Sequence, residues 1–285
     1  WELDDSGVLT IYKDTTPTWL DHATEIKKVV LEAGVTTIPS GAFNGCVNLT
    51  ELNTIKAISD LKYILNSAFV GCSSFKNLKI DAALEIIDAY AFQQMSSLET
   101  VEIASVAEVG DYAFYECSGL TGDLVIPSSV ATIGTGAFSG CGFTGITVDE
   151  NNEVYHGDKD CLIHTNSNEL ILGCQNSVIP NYITSIGYRA FYNCSGLTEI
   201  IIPDSVTRIG DDAFYNCDSL TSITSYAIIA PSANFYTFIN INPNGILYYP
   251  QGSDYSNWMK TNYYSLGYYN WTSQEIEVPT EETTE

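Results

Sequence analysis

Positive charge is what this chain has least of: Lys and Arg together number 11 against 35 Asp and Glu, a formal net charge of -24. Such a field repels phosphate backbones and anionic lipid, which excludes nucleic acid as a partner and favours basic ones. Long apolar runs are also missing, so no segment is expected to cross a membrane. Histidine is scarce, with His22, His156 and His164 in no spacing that suggests a metal site or a catalytic triad. The sequence holds no Gly-x-Ser-x-Gly, no His-Glu-x-x-His and no phosphate loop. Neither a cofactor, a metal nor a catalytic residue is expected, and the chain reads as a non-enzyme. Asp149, Asn151 and Glu153 alternate as calcium ligands can, but Val154 follows where a calcium loop needs Gly, and a plain polar turn is the better reading. The sequence starts at Trp1 rather than Met without a signal-peptide pattern, so a chain from which a leader has been removed is expected.

What the chain does have is a repeat. Ala42-Phe43 leads to Cys46, Ala68-Phe69 to Cys72, Ala113-Phe114 to Cys117 and Ala137-Phe138 to Cys141. Ala190-Phe191 leads to Cys194 and Ala213-Phe214 to Cys217; Ala91-Phe92 is a seventh copy, with Met95 in the cysteine's place. Successive pairs lie 22 to 26 residues apart, with one gap of 53. A period of this size means stacked turns that bury a continuous core only together, and one continuous solenoid is expected. Upstream of each pair stand two aliphatics at fixed spacing, as in Val35 and Ile38 or Val206 and Ile209. Downstream comes an alternating phrase such as Leu98-Glu-Thr-Val101-Glu-Ile103, the mark of a half-buried strand. Stacking then places phenylalanine on phenylalanine and cysteine on cysteine. Six cysteines share one register and are expected as reduced, buried thiols. Cys161 and Cys174 lie outside it, on the arms of a hairpin around Asn166-Ser-Asn168, diagonal to one another, where a bond is the lesser reading.

The phrases Ile202-Pro-Asp-Ser-Val-Thr-Arg-Ile-Gly-Asp-Asp-Ala-Phe214 and Ile126-Pro-Ser-Ser-Val-Ala-Thr-Ile-Gly-Thr-Gly-Ala-Phe138 carry a resemblance to the BspA-like leucine-rich repeats of bacterial and protist surface proteins. The likeness runs from about Ile26 to Ile223. Repeat two departs from it, reading Ile58-Ser-Asp-Leu-Lys-Tyr-Ile64 without Ile-Pro. The resemblance implies an α/β repeat solenoid: a leucine-rich-repeat horseshoe with a parallel β-sheet on the concave face, short helical or irregular turns on the other, and caps at both ends. It also implies export to the cell surface, with any lipid anchor outside this sequence, and a role in adhesion.

The expected organisation is an N-terminal hairpin cap over residues 1–25 and repeats over 26–225 with an inserted hairpin at about 149–175. An aromatic-rich C-terminal cap over 226–274 and a disordered acidic tail over 275–285 complete it. Leu247-Tyr-Tyr-Pro250, Tyr255 and Trp258 match the phrase that closes the solenoid in the resembled family. The tyrosines beyond, from Tyr263 on, are denser than a cap needs. They motivate a second reading of the chain, as a glycan-binding module of an envelope system.

Candidate ligand-binding residues are the outward members of the strand phrases. They are Lys28, Glu51, Asn53, Asn77, Lys79, Thr100, Glu102, Asp123, Thr147, Glu199, Ser222 and Thr224. Stacked strands stand about 4.8 Å apart, so eight or nine of them would span ~40 Å. That length suits an extracellular protein or glycan polymer better than a metabolite.

Overall fold

The structure, a computed structural model, describes residues 1–53, 60–234, 236–262 and 265–278, with backbone only at 53, 81, 82 and 104. The chain divides into two compact units, Trp1–His156 and Gly157–Glu285. The division falls inside the long gap between Ala137-Phe138 and Ala190-Phe191. Each unit is a parallel-strand β-solenoid whose turns have three sides.

The first side is the alternating phrase. In unit 1 the strands Val8–Ile11, Lys28–Leu31 and Glu51–Asn53 pair in parallel, with Lys28 opposite Glu51 and Val29 opposite Leu52. In unit 2 Glu199–Ile202, Ser222–Ser225, Asn244–Pro250 and Asn270–Ile276 do the same. The second side is a short strand that ends in the second aliphatic. In unit 1 Ile38 pairs with Ile64, Ile64 with Ile87, and Val109 with Ile133. In unit 2 Leu170 pairs with Ile186, Ile186 with Ile209, and Ile209 with Ala233.

Proline separates these two sides in several turns. Where Ile126-Pro127 or Ile202-Pro203 stands, the strand stops, because proline has no amide to give the ladder. Repeats three and four lack it, and each runs as one long strand, Asn77–Ile87 and Thr100–Val109, from the first side into the second. The bend of repeat two, which also lacks Ile-Pro, lies partly outside the described residues.

The third side bears the Ala-Phe pair. Among the described residues the only helical segments are the 3-10 turns Leu20–His22 and Leu266–Tyr268, so the Ala-Phe sides are irregular turns, not helices. Their shape repeats closely. The residue before each Ala and the residue before each Cys adopt left-handed backbone. Tyr112 has φ 55° and Glu116 φ 57°, as do Asp212 at 56° and Asn216 at 58°. This geometry aims alternate amides along the stack. Tyr112 N–H donates to Thr135 O, Phe114 N–H to Ala137 O and Glu116 N–H to Ser139 O, at 2.7–3.0 Å. The strain of roughly 1–2 kcal/mol per left-handed non-glycine residue is offset by these inter-turn bonds.

The phenylalanines form the core column. In unit 1 Trp19, Phe43, Phe69, Phe92, Phe114 and Phe138 follow one another with ring centroids 5.0–5.9 Å apart. In unit 2 the column is Phe191, Phe214, Phe238 and Trp258, at 5.2–5.9 Å. Phe238 carries the column beyond residue 225. Thr237-Phe238 takes the place of Ala-Phe, Asn240 is left-handed at φ 54°, and Ile241 stands where a cysteine would. Thr237 is fully buried, its hydroxyl 3.3 Å from Gly210 O, so a polar residue occupies the alanine's slot with its donor satisfied. That substitution hid the turn from a search for Ala-Phe.

The ends take the following form. Glu2–Leu3 and Val8–Ile11 make an antiparallel hairpin, and Trp1 packs edge-on to Trp19 at 6.1 Å. Cys161–His164 and Glu169–Gly173 pair antiparallel with a bulge at Leu162/Ile163; Cys161 faces Gly173, one residue short of Cys174, and both thiols are free. At the C-terminal end Glu275 and Ile276 continue the last strand, paired with Tyr249 and Pro250. Both residues fall in the stretch expected as an acidic tail over 275–285. Residues 279–285 lie outside the described ones.

Candidate functional site

Alternation along each first-side strand turns one set of side chains inward and the other to solvent. The inward set is the aliphatic wall: Val29, Leu31, Leu78, Ile80, Ile200, Ile202 and Ile223 are buried. The outward set is the candidate site, and the parallel register lines it up turn upon turn.

In unit 1 the outward residues are largely paired across rungs. Lys28 Nζ lies 2.7 Å from Glu51 Oε1, and Lys79 Nζ 3.4 Å from Glu102 Oε2. Thr100 Oγ1 donates to Asn77 Oδ1 at 2.8 Å. Of Asn53 only the backbone is described; it stands opposite Val30. Asp123 and Thr147 are exposed on neighbouring strands, opposite Gly145 and Val125 respectively. All these pairs are solvated, so they shape and orient the surface more than they stabilise it.

In unit 2 the face changes character. Glu199 stands opposite Ser222, and Ser222 opposite Ile246; Ile201 stands opposite Thr224, and Thr224 opposite Tyr248. Ile201 is 47% exposed and Ile246 36%. The sequence reading included Glu199, Ser222 and Thr224 but missed Ile246, Tyr248, Thr272 and Gln274. The phrase Ile246-Leu247-Tyr248 alternates like any other repeat strand, and that was the available signal.

A second feature lies on the Ala-Phe sides, a set of stacked tyrosines that is partly to fully buried. Tyr90 stacks on Tyr112 at 5.3 Å and Tyr192 on Tyr215 at 5.1 Å, with the Arg189 guanidinium 4.6 Å from the Tyr192 ring centre. Arg189 also binds Asp212 at 2.9 Å. The C-terminal aromatics are differently placed. Tyr255 and Trp258 are buried, the Tyr255 hydroxyl lying 2.6 Å from Ser225 Oγ and 2.8 Å from Ala227 O. Trp271 is buried and donates to Asn242 O at 2.8 Å. Tyr268 is 50% exposed, and Tyr263 lies outside the described residues.

Chemistry of the reactive kind finds little footing. Burial pushes the Cys46 thiol up to about 11 and the Cys117 and Cys194 thiols up to about 12. These are inert thiols. Among the described residues no three His, Cys, Asp or Glu gather closely enough to hold a metal ion. Asp149 accepts from Asn151 N–H at 2.9 Å and from Asn151 Nδ2 at 3.0 Å, bonds that hold its carboxyl below the usual range and close a local turn. No helix among the described residues is long and apolar enough to cross a membrane.

Comparison with known proteins gives the family. The chain is similar to a leucine-rich repeat protein from Eubacterium ventriosum, 21% identical over 87% of this chain and 75% of that one, with a TM-score of 0.54. It is similar to a leucine rich cell surface protein from Faecalibacterium prausnitzii, 19% identical over 98% and 89%, with a TM-score of 0.64. It is also similar to the pneumococcal vaccine antigen PcpA, 14% identical over 94% and 83%, with a TM-score of 0.55. At these identities the likeness is one of fold. No curated protein matches the sequence. The profile of the BspA type leucine rich repeat region matches in six copies, over residues 20–145 and 163–251, and the chain belongs to that family.

Proposed function

We propose that this chain is an exported, non-catalytic recognition protein, working at the cell surface as an adhesin. It holds a host or neighbouring-cell macromolecule on the outward face of its parallel strands, which in this reading is the concave face of a leucine-rich-repeat horseshoe. The observation that carries the proposal is the register. Lys28 beside Glu51, Lys79 beside Glu102 and Ser222 beside Glu199 place exposed side chains at rung spacing, about 4.8 Å, matched to an extended partner. Family membership supports it, since repeat solenoids work by presenting surface. So does the likeness in fold to a leucine rich cell surface protein and to a vaccine antigen. The charge of -24 directs the choice of partner toward basic proteins and away from nucleic acid.

The glycan reading has less support. Trp258 and Trp271 are buried within unit 2, which leaves Tyr236 and Tyr268 as exposed rings of the C-terminal region among the described residues.

The test is a screen of the purified chain against arrayed matrix proteins, cell-surface proteins and glycans at low and high salt. A protein ligand whose binding weakens with salt supports the proposal. Binding to none of the proteins at high concentration rejects it, and a salt-insensitive glycan ligand lost in Tyr268→Ala moves the assignment to the glycan reading.

A further inference from the structure

In unit 1 the first-side ladder is interrupted. The strand Thr100–Val109 pairs with Asn77–Ile87, and Asp123–Ile126 pairs with Gly145–Val148, but no ladder joins Thr100–Val109 to Asp123–Ile126 among the described residues. The other two sides of the same turns stay zipped. Glu108 pairs with Thr132, and Phe114 N–H donates to Ala137 O at 2.7 Å. The seam is therefore open on one side of a closed frame.

Chain length explains it. The segment from Leu98 to Val106 is one residue shorter than Phe75 to Leu84 or Leu197 to Val206. The segment from Leu120 to Val130 is one residue longer, with Gly122 inserted ahead of the strand. A difference of one residue is absorbed as a bulge between Ile80 and Ala83 in the ladder of Asn77–Ile87 with Thr100–Val109, whereas the seam with Asp123–Ile126 has to span a difference of two and stays open. The consequence is a cavity of about 230 Å³ lined by Val101, Ile103, Leu124, Phe114, Phe138 and Phe143. Val101, Ile103 and Leu124 are only half-buried, whereas Leu78, Ile80, Ile200 and Ile202 at matching positions are buried.

We propose that this slot is a binding site for a small cationic amphiphile: an aromatic ring or short alkyl chain that carries a protonated amine. The interior selects the apolar body. An apolar cavity of about 150 Å³ is already enough to take benzene, and the slot is larger. The rim selects the charge. Glu99 and Asp123 border the opening, and no Lys or Arg lines it. Glu99 is engaged by Lys76 at 2.8 Å, while the Asp123 carboxylate is exposed on the open strand. The chain's overall field adds attraction for a cation and repulsion for a carboxylate.

Three probes of one shape test this: tryptamine, tryptophol and indole-3-acetate, titrated into the full chain by calorimetry and by NMR of the Val101, Ile103 and Leu124 methyl groups. Tryptamine is expected to bind most tightly and indole-3-acetate least, with shifts centred on those methyls. Val101→Phe fills the slot and should weaken tryptamine at least tenfold while urea unfolding stays cooperative. Asp123→Asn, a change on the exposed rim, should erase the advantage of tryptamine over tryptophol. If Val101→Phe does not fold, deletion of Gly122, which restores the common segment length, serves in its place. Absence of saturable shifts with all three probes at millimolar concentration overturns the proposal. So does undiminished tryptamine binding in the filled variant, or equal binding of tryptamine and indole-3-acetate.

Discussion

The Cys117 thiol donates a hydrogen bond to the Phe92 carbonyl, one turn earlier in the stack, at 3.0 Å. The same bond joins Cys72 to Phe43 and Cys141 to Phe114 at 3.2 Å, and Cys217 to Phe191 at 3.1 Å. The cysteine column is thus more than a column of small apolar groups. Each thiol covers a carbonyl that faces the interior. Cys117→Ala removes the donor and leaves that carbonyl with less hydrogen bonding, which should cost roughly 1–3 kcal/mol. Urea unfolding measures it, and an unchanged midpoint would show the bond to be incidental.

The same burial sets a pH dependence. The Cys46 thiol is pushed from the ordinary 9.0 up to about 11 in the folded chain. A raised folded value means that the folded state holds the proton more tightly. Its contribution to stability is full below about pH 9 and is lost as pH climbs through about 11. Unfolding midpoints should therefore fall across that window, and Cys46→Ala should fall less steeply. At pH 8, Cys46, Cys72, Cys117 and Cys217 should resist maleimide in the native chain and react once it is unfolded.

Phe92 sits between Phe69 at 5.1 Å and Phe114 at 5.0 Å and is fully buried. Phe92→Ala should cost about 3–5 kcal/mol, because the rings above and below cannot both collapse into the gap. Phe92→Leu should cost less. A loss under 1 kcal/mol by denaturant titration, on the scale of a surface change, would mean that the column is not a rigid stack.

Glu116 holds left-handed backbone at φ 57°, and its side chain accepts a bond from Gln94 Nε2 at 3.1 Å on the exposed surface. Glu116→Gly relieves roughly 1–2 kcal/mol of strain against an entropic cost of about 0.5–1 kcal/mol for glycine. A small rise in Tm is expected. A fall would show that the Gln94 contact outweighs the strain.

On the candidate face, Lys79→Ala and Glu102→Ala should each change stability by less than about 0.5 kcal/mol, since both side chains are solvated. Binding of a basic protein ligand should nonetheless respond in opposite directions, tighter for Lys79→Ala and weaker for Glu102→Ala. Equal, unchanged affinities would remove this row from the recognition surface.

Much of the architecture was legible because it is written in local spacing. The distance from Ile209 to Ala213, from Ala213 to Phe214 and from Phe214 to Cys217 recurs along the chain, and a period near 23 residues leaves stacked turns as the way to bury it. The outward candidates followed from alternation alone, which two-residue strand periodicity makes reliable. The aromatic C-terminal residues left two readings, cap and glycan site, because composition does not say which way a ring points; in the fold Trp271 lies buried.

Within the turns, the sequence by itself determined the column of phenylalanines, the reduced thiols and the break in the strand at Ile-Pro. Each depends on residues a few positions apart. Tertiary structure decided what depends on two turns at once. It recruited Thr237-Phe238 as a further turn, because a buried threonine can satisfy its hydroxyl on the Gly210 carbonyl. It also opened the seam between Thr100–Val109 and Asp123–Ile126, where a short segment meets a long one, a relation between segments that no single repeat contains.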